Sequence, residues 1–343
     1  MSKQTISLCM IVKNEEKFLE QCLNSAKDIA DEIIIVDTGS TDKTKEIALS
    51  FGAKIYDFKW CDDFSAARNE CLKHATKDWV LVLDADEKLD ESAKEKIKEV
   101  IEREDVYGFS MPQLNYTNKY TTHPNFVPIN NSKFKGYFVI YIIRLFRRSK
   151  EIYFQFYVHE MVDNTILKAN KKIESLNVPI YHYQELKGVD YVDNKQQSYK
   201  SLLTKNINDY PEEAIHYNHL AVLCNTYKKD IKKAIEYVQK AIELEPKNIE
   251  YQLHLSCLLN EIGEYNKSIE CLKEAIQIEQ DERLYRALGI VYYKLEKYNN
   301  SIESYKRALE LGTPLKKEVM EQIKYIKKKM NESAYVSYSF SLG

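Results

Sequence analysis

The amino-acid sequence predicts an α/β domain built on a mostly parallel sheet, followed by an all-α solenoid of stacked helix pairs. Near-continuous apolar runs, Ile6 to Val12, Ile33 to Val36 and Trp79 to Leu83, each stop at a polar rim, and segments with helical apolar spacing separate them. Runs that are apolar on both faces read as strands buried between helical layers, and their alternation with helices favours parallel pairing. The second half repeats itself. Ala234, Ser268 and Ser301 recur at intervals of 34 and 33 residues, and so do Ala241, Ala275 and Ala308. Small residues at that period let paired helices approach closely, and stacked neighbours bury a continuous apolar strip.

Taken in order, the first strand ends at Lys13-Asn14-Glu15-Glu16, and Phe18, Leu19, Cys22, Leu23 and Ala26 then recur at helical spacing. The second strand ends at Asp37-Thr38-Gly39-Ser40-Thr41-Asp42, where Gly39 allows a tight turn and Thr41 or Asp42 can cap the next helix. Ala53 to Tyr56 is a third strand, and Phe64 to Ala75 is a helix carrying Arg68 and Asn69. The next apolar run breaks into Asp84-Ala85-Asp86-Glu87. Two aspartates one residue apart at the carboxyl end of a buried strand stand where open α/β sheets bind ligands. They can hold a divalent cation, and the cation can hold a diphosphate; the alternative is a solvated turn. A helix from Asp90 to about Arg103 and a strand from Val106 to Met111 follow.

Composition narrows the function classes. At 343 residues the chain is long enough for two domains, and 44% hydrophobic with 30% charged residues marks a soluble globular protein. A net charge of −2 argues against a nucleic-acid or anionic-membrane partner. The 7 cysteines include no C-x-x-C pair, which favours reduced thiols over disulfides or a zinc site. No secretory signal is read at Met1-Ser2-Lys3-Gln4, and the apolar stretch from Tyr137 to Phe146 is too short to span a bilayer and contains Arg144. The expected location is cytoplasmic.

The ordered segments I-S-L-C-M-I-V-K-N-E-E, I-I-I-V-D-T-G-S-T-D, F-S-A-A-R-N and L-D-A-D-E resemble the family 2 glycosyltransferases of the GT-A fold. That resemblance implies a Rossmann-like nucleotide-sugar-binding domain. It also implies sugar transfer from a nucleotide-sugar, usually with inversion at the anomeric carbon. It places Lys13 and Asn14 near the nucleotide, Asp37 on the base or ribose, and Arg68 facing the diphosphate, with Asp84 and Asp86 also in the nucleotide-sugar site. The segment R-L-F-R from Arg144, Val158-His159-Glu160 and Tyr181-His182 is similar to the late half of the catalytic domain in sublancin-type S-glycosyltransferases and lipopolysaccharide-core glucosyltransferases. The polar segment from Gln113 to Lys135 is then either an acceptor-facing loop or a plain connection.

Displacing a nucleoside diphosphate requires its developing charge to be neutralised, which bound Mn²⁺ or Mg²⁺ can do. Asp86 is the first choice of protein ligand and Asp84 the second, with His182 as a late-domain ligand. Inversion needs a base near the acceptor, for which Glu160 is the first candidate and His159 the alternative; an acceptor thiol would need that base less.

The repeats resemble tetratricopeptide repeats, which bind peptides or pair with another copy. The expected divisions are 1–186 for the transferase domain, 187–212 for a helical linker, 213–330 for the repeats and 331–343 for a flexible tail. A UDP-sugar donor and a peptide or protein acceptor are expected, with a homodimer through the repeats as a further expectation. A lipid-linked or cell-surface glycan is the alternative acceptor, and an inactive sugar-nucleotide-binding scaffold the alternative function.

Overall fold

The computed structural model describes residues 4–118, 126–129, 133–187, 189–228 and 230–340, and the chain divides into a mainly α/β unit, 1–120 with 128–206, and a mainly helical unit, 121–127 with 207–343. The α/β unit runs β1 (Ile6–Val12), α1 (Leu19–Ala26), β2 (Glu32–Asp37), α2 (Thr44–Ser50), β3 (Lys54–Asp57), α3 (Phe64–His74) and β4 (Trp79–Val82). The chain continues with β5 (Glu87–Leu89), α4 (Ala93–Val100), β6 (Val106–Thr117), β7 (Phe126–Pro128), β8 (Gly136–Arg147), α5 (Asp163–Lys168), β9 (Lys172–Ser175), β10 (Ile180–His182) and α6 (Val189–Asp209).

Among the described residues the sheet order is β3-β2-β1-β4-β8-β6-β10-β5. Strands β3, β2, β1 and β4 pair in parallel, as expected. The other half departs from the expected mostly parallel sheet: β8 is antiparallel to both β4 and β6, and β5 is antiparallel to β10. Residue patterning marks β6 and β8 as strands but not their direction. A long antiparallel pair needs no crossover helix between its members. The first strand shows why its run is apolar throughout. Leu8 and Met10 join one core layer with Leu19, Leu23 and Ile97, while Cys9 joins the other with Ala67, Cys71, Val80 and Val82.

Several expected boundaries move. β6 continues to Thr117, so the polar segment from Gln113 begins as strand, and residues 119–125 and 130–132 of that segment lie outside the described residues. α4 is shorter than the Asp90 to Arg103 span, because Asp90 instead accepts hydrogen bonds from Ser92 N and Oγ, at 2.9 and 2.6 Å, in the turn before it.

The helical unit contains α7 (Ala214–Leu223), α8 (Ile231–Leu244), α9 (Ile249–Glu261), α10 (Tyr265–Ile278), α11 (Glu282–Lys294), α12 (Tyr298–Glu310) and α13 (Lys316–Phe340). The recurring small residues do what their period predicts: Ala234, Ala241, Ala275 and Ala308 are fully buried. Ser268 Oγ donates to Ser256 O at 3.0 Å and Ser301 Oγ to Gly289 O at 2.7 Å, the same cross-helix bond in successive repeats. A wide helical turn spans Cys224–Lys228 ahead of α8, and Lys229 lies outside the described residues. α13 runs on to Phe340, where a flexible tail is expected from 331; no Gly or Pro interrupts Lys316 to Phe340. Among the described residues no helix is long and apolar enough to cross a membrane.

Glu32, at the start of β2, ties the sheet edge together. Its Oε1 accepts from Ser7 Oγ at 2.6 Å and Thr76 N at 2.6 Å, and its Oε2 from Lys54 Nζ at 3.2 Å. Burial pushes its pKa up, but these donors outweigh burial and bring it down to about 2. A carboxylate depressed on folding stabilises the protein above its unfolded value, and the gain is lost as pH falls from about 4.5 toward 2. Glu32→Gln is expected to lower unfolding free energy by about 2 kcal/mol at neutral pH, with the gap to the parent closing across that acid range in urea titrations.

Candidate active site

Strand register assembles the site. The chain leaves β4 at Val82, turns through Leu83 to Asp86 and enters β5 at once. Antiparallel pairing of β5 with β10 sets His182 opposite Glu87, and parallel pairing of β10 with β6 sets His182 beside Asn115. His182 Nε2 thereby stands 3.5 Å from Asp86 Oδ2, while its Nδ1 lies 2.6 Å from Asn115 Oδ1. Tyr183 N donates to Asp86 O at 3.1 Å, which fixes the turn from the same strand end. Burial pushes the His182 pKa down, yet Asp86, with Glu87 and Asp84 behind it, holds it above the usual value.

Two buried arginines flank this pair. Arg68, on α3, donates through Nη2 to Asp84 Oδ1 and through Nε to Glu160 Oε1 at 3.0 Å. Arg144, on β8, donates through Nη2 to Asp84 Oδ2 at 2.9 Å and to Glu87 Oε1 at 2.7 Å. Glu87 also accepts from Gln113 Nε2 and, through Oε2, from Asp84 N at 2.8 Å. The result is a continuous chain, Glu160–Arg68–Asp84–Arg144–Glu87. Desolvation works against the Asp84 charge, but Arg68 and Arg144 hold its pKa well below the usual carboxylate range. Glu87 behaves oppositely: burial pushes it up, and Arg144 only partly offsets this. Arg68 Nη1 and Arg144 Nε are buried with no hydrogen-bond partner among the described residues.

A second group forms where β1 and β2 end. Asp37 is 1% exposed; its Oδ1 accepts from Gly39 N at 3.0 Å and Ser40 N at 2.9 Å, and Lys45 Nζ lies 3.7 Å away. Its Oδ2 is buried with no hydrogen-bond partner among the described residues. Gly39 has φ +108°, a conformation that L side chains rarely adopt, so the turn presenting Asp37 requires glycine. Asn14 braces this turn: its Oδ1 accepts from Thr41 N at 2.8 Å and its N donates to Ser40 Oγ at 3.0 Å. Lys13 is exposed.

The structure thus joins Arg68, Asp84 and Glu160 in one ion-pair chain and sets Asp86 beside His182. Arg68, expected to face a diphosphate, gives Nε and Nη2 to Glu160 and Asp84, while its Nη1 is buried with no hydrogen-bond partner among the described residues. Both Asp84 oxygens are bound by arginine, and Asp86 lies beside His182. His159 is exposed, has φ +54° and packs edge-on against Tyr199 at 5.5 Å, whereas its neighbour Glu160 belongs to the ion-pair chain.

Sequence reasoning missed Arg144, Glu87, Gln113 and Asn115 as parts of the site. Arg144 carried a usable signal, because an arginine inside an apolar strand run needs a buried carboxylate partner.

Among the described residues no group of three or more His, Cys, Asp or Glu is arranged to hold a metal ion. Asp86 and His182 nevertheless form a two-donor carboxylate–imidazole set, which suits Mn²⁺ if a diphosphate and water supply the remaining oxygens. A cleft of about 160 Å³ adjoins His182, lined by Asn115, Tyr116, Thr117, Phe138, His182 and Gln184.

Residues 7–163 match the family described as Glycosyl transferase family 2, and residues 215–248, 249–282 and 283–311 each match the Tetratricopeptide repeat. A TPR repeat-containing protein of Synechococcus elongatus is 33% identical over 287 residues, covering 79% of this chain and 66% of that protein. The SPbeta prophage-derived glycosyltransferase SunS of Bacillus subtilis is 29% identical over 242 residues, covering 69% of this chain and 53% of its own length. A glycosyltransferase of Rickettsia bellii is 35% identical over 141 residues, covering 38% of this chain and 48% of its own. The chain spans between about half and two thirds of the length of these curated relatives.

Removing one partner from a buried charge network leaves the others uncompensated. Arg144→Met is therefore expected to cost roughly 3–5 kcal/mol in urea unfolding, and adding Glu87→Gln should recover part of that loss. A loss below about 1 kcal/mol would show that Arg144 is not needed to hold the acidic turn.

Proposed function

We propose, from the premise that this chain belongs to glycosyl transferase family 2 and carries tetratricopeptide repeats, that it transfers a sugar from a UDP-sugar to a peptide or protein acceptor, with inversion and with a divalent metal bound. The observation that carries the reading is the Asp86–His182 pair standing beside an Asp84 already locked by two arginines.

In this reading Asp86 and His182 hold Mn²⁺ or Mg²⁺, with Asp84 fixing the turn rather than serving as a ligand. When bound, the metal neutralises charge on the departing nucleoside diphosphate. The remaining work falls to the chain's own residues. Asp37 has one buried oxygen with no donor among the described residues, and a nucleotide base or ribose offers the N–H or O–H that would satisfy it. Asn14 holds the turn that presents Asp37, and Lys13 contributes positive charge at the same rim. Arg68 and Arg144 each have a buried N–H with no partner among the described residues, which favours an anionic ligand or ordered water near them. Glu160, oriented by Arg68, takes the acceptor proton, with His159 as the alternative base. The repeats supply the surface for a polypeptide acceptor or for a second copy of the chain.

The test is turnover of UDP-sugars with Mn²⁺, compared between the parent protein and Asp86→Ala. Donor hydrolysis by the parent, reduced about 100-fold or more in Asp86→Ala, is the expected result. No turnover of any donor, together with UDP binding unchanged in Asp86→Ala, would contradict the reading.

A further inference from the structure

We infer that Asn115 is a positioning residue that fixes His182 as the Nδ1–H tautomer and so aims the Nε2 lone pair at Asp86. Asn115 Nδ2 donates to Gln113 O at 3.3 Å, and its Oδ1 lies 2.6 Å from His182 Nδ1. Rotating the amide by half a turn would put Oδ1 against the Gln113 carbonyl, two acceptors face to face, so the backbone of β6 selects the amide orientation. With Oδ1 toward the ring, Nδ1 must carry the proton.

The other nitrogen follows from the first. In the neutral ring Nε2 is then an acceptor, and it stands 3.5 Å from Asp86 Oδ2, another acceptor. Two facing acceptors are stable only with a positive species between or on them, either a proton on Nε2 or a metal ion. Asn115 thus converts His182 from an indifferent neighbour of Asp86 into the second donor of a cation site. A hydrogen bond from the distal nitrogen of a metal-binding histidine is the usual way that ring orientation and basicity are set. The strand register provides the pairing without any loop rearrangement: His182 and Asn115 are direct partners in the parallel β10–β6 ladder. This role rests on the metal reading given above only in its consequence for affinity; the tautomer itself can be read without metal.

The experiment has two arms on the full chain. In the first, nitrogen-15 histidine NMR of the metal-free protein, at an alkaline pH where the ring is neutral, reads which nitrogen of His182 carries the proton. Nδ1–H is expected in the parent and in Asn115→Asp, which keeps an acceptor, and Nε2–H in Asn115→Leu. In the second, Mn²⁺ is titrated calorimetrically in the presence of UDP, and Asn115→Leu is expected to bind about 10–100-fold more weakly than the parent, with Asn115→Asp retaining most of the affinity. Nε2–H in the parent would overturn the inference, as would parent-like Mn²⁺ affinity in a folded Asn115→Leu. If the parent binds no Mn²⁺ at all, the metal reading fails, and the NMR arm still decides what Asn115 does. Thermal melts of both variants separate a folding defect from a loss of positioning.

Discussion

The dominant constraint on this α/β domain is how it keeps Asp84 charged among largely buried groups. A carboxylate partly removed from water is costly unless it is paired and hydrogen-bonded, and Asp84, whose side chain is 34% exposed, has an arginine on each oxygen. Arg68 comes from a helix and Arg144 from a strand, and each reaches onward to a second acid, Glu160 or Glu87. One turn therefore couples α3, β4, β5, β8 and the segment around Glu160. The arrangement carries more carboxylates than arginines even before Asp86 is counted. An acidic excess of this kind, lodged at the carboxyl end of a strand, suits a cation and the phosphates that a cation can hold.

The mixed half of the sheet is what makes the turn more than an acidic loop. β10 inserts between β6 and β5, and its last residue, His182, meets Asp86 from one side and Asn115 from the other. Displacing β10 by one residue would turn His182 to the opposite face and break both contacts at once. The three-residue lengths of β5 and β10 are thus sufficient, because only the register at Glu87, Asn115 and His182 has to be right.

Much of this was legible in the sequence and some was not, for physical reasons. Apolar runs ending at polar rims identified β1, β2 and β4, since a strand buried on both faces leaves a continuous local signal. The recurring alanines and serines identified the repeats because close helix approach demands small side chains at a fixed period. β5 and β10 are too short to show any period, and they exist through pairing with distant strands. The same holds at the site. Asp84, Asp86 and His182 stood out as motifs, whereas Glu87 and Asn115 acquire their parts only from partners brought in by register. Asn14, read near the nucleotide from its motif, proves to brace the turn that carries Asp37.

In the reading proposed above, Asp86 and His182 together form the cation site. The direct measurement is anomalous scattering from crystals of the full chain soaked with Mn²⁺ and UDP. A single strong peak within coordination distance of Asp86 and His182, with Asp84 still bound by Arg68 and Arg144, is the result predicted. A peak held by Asp84 and released from its arginines, or no peak near the turn while UDP is bound, would contradict it.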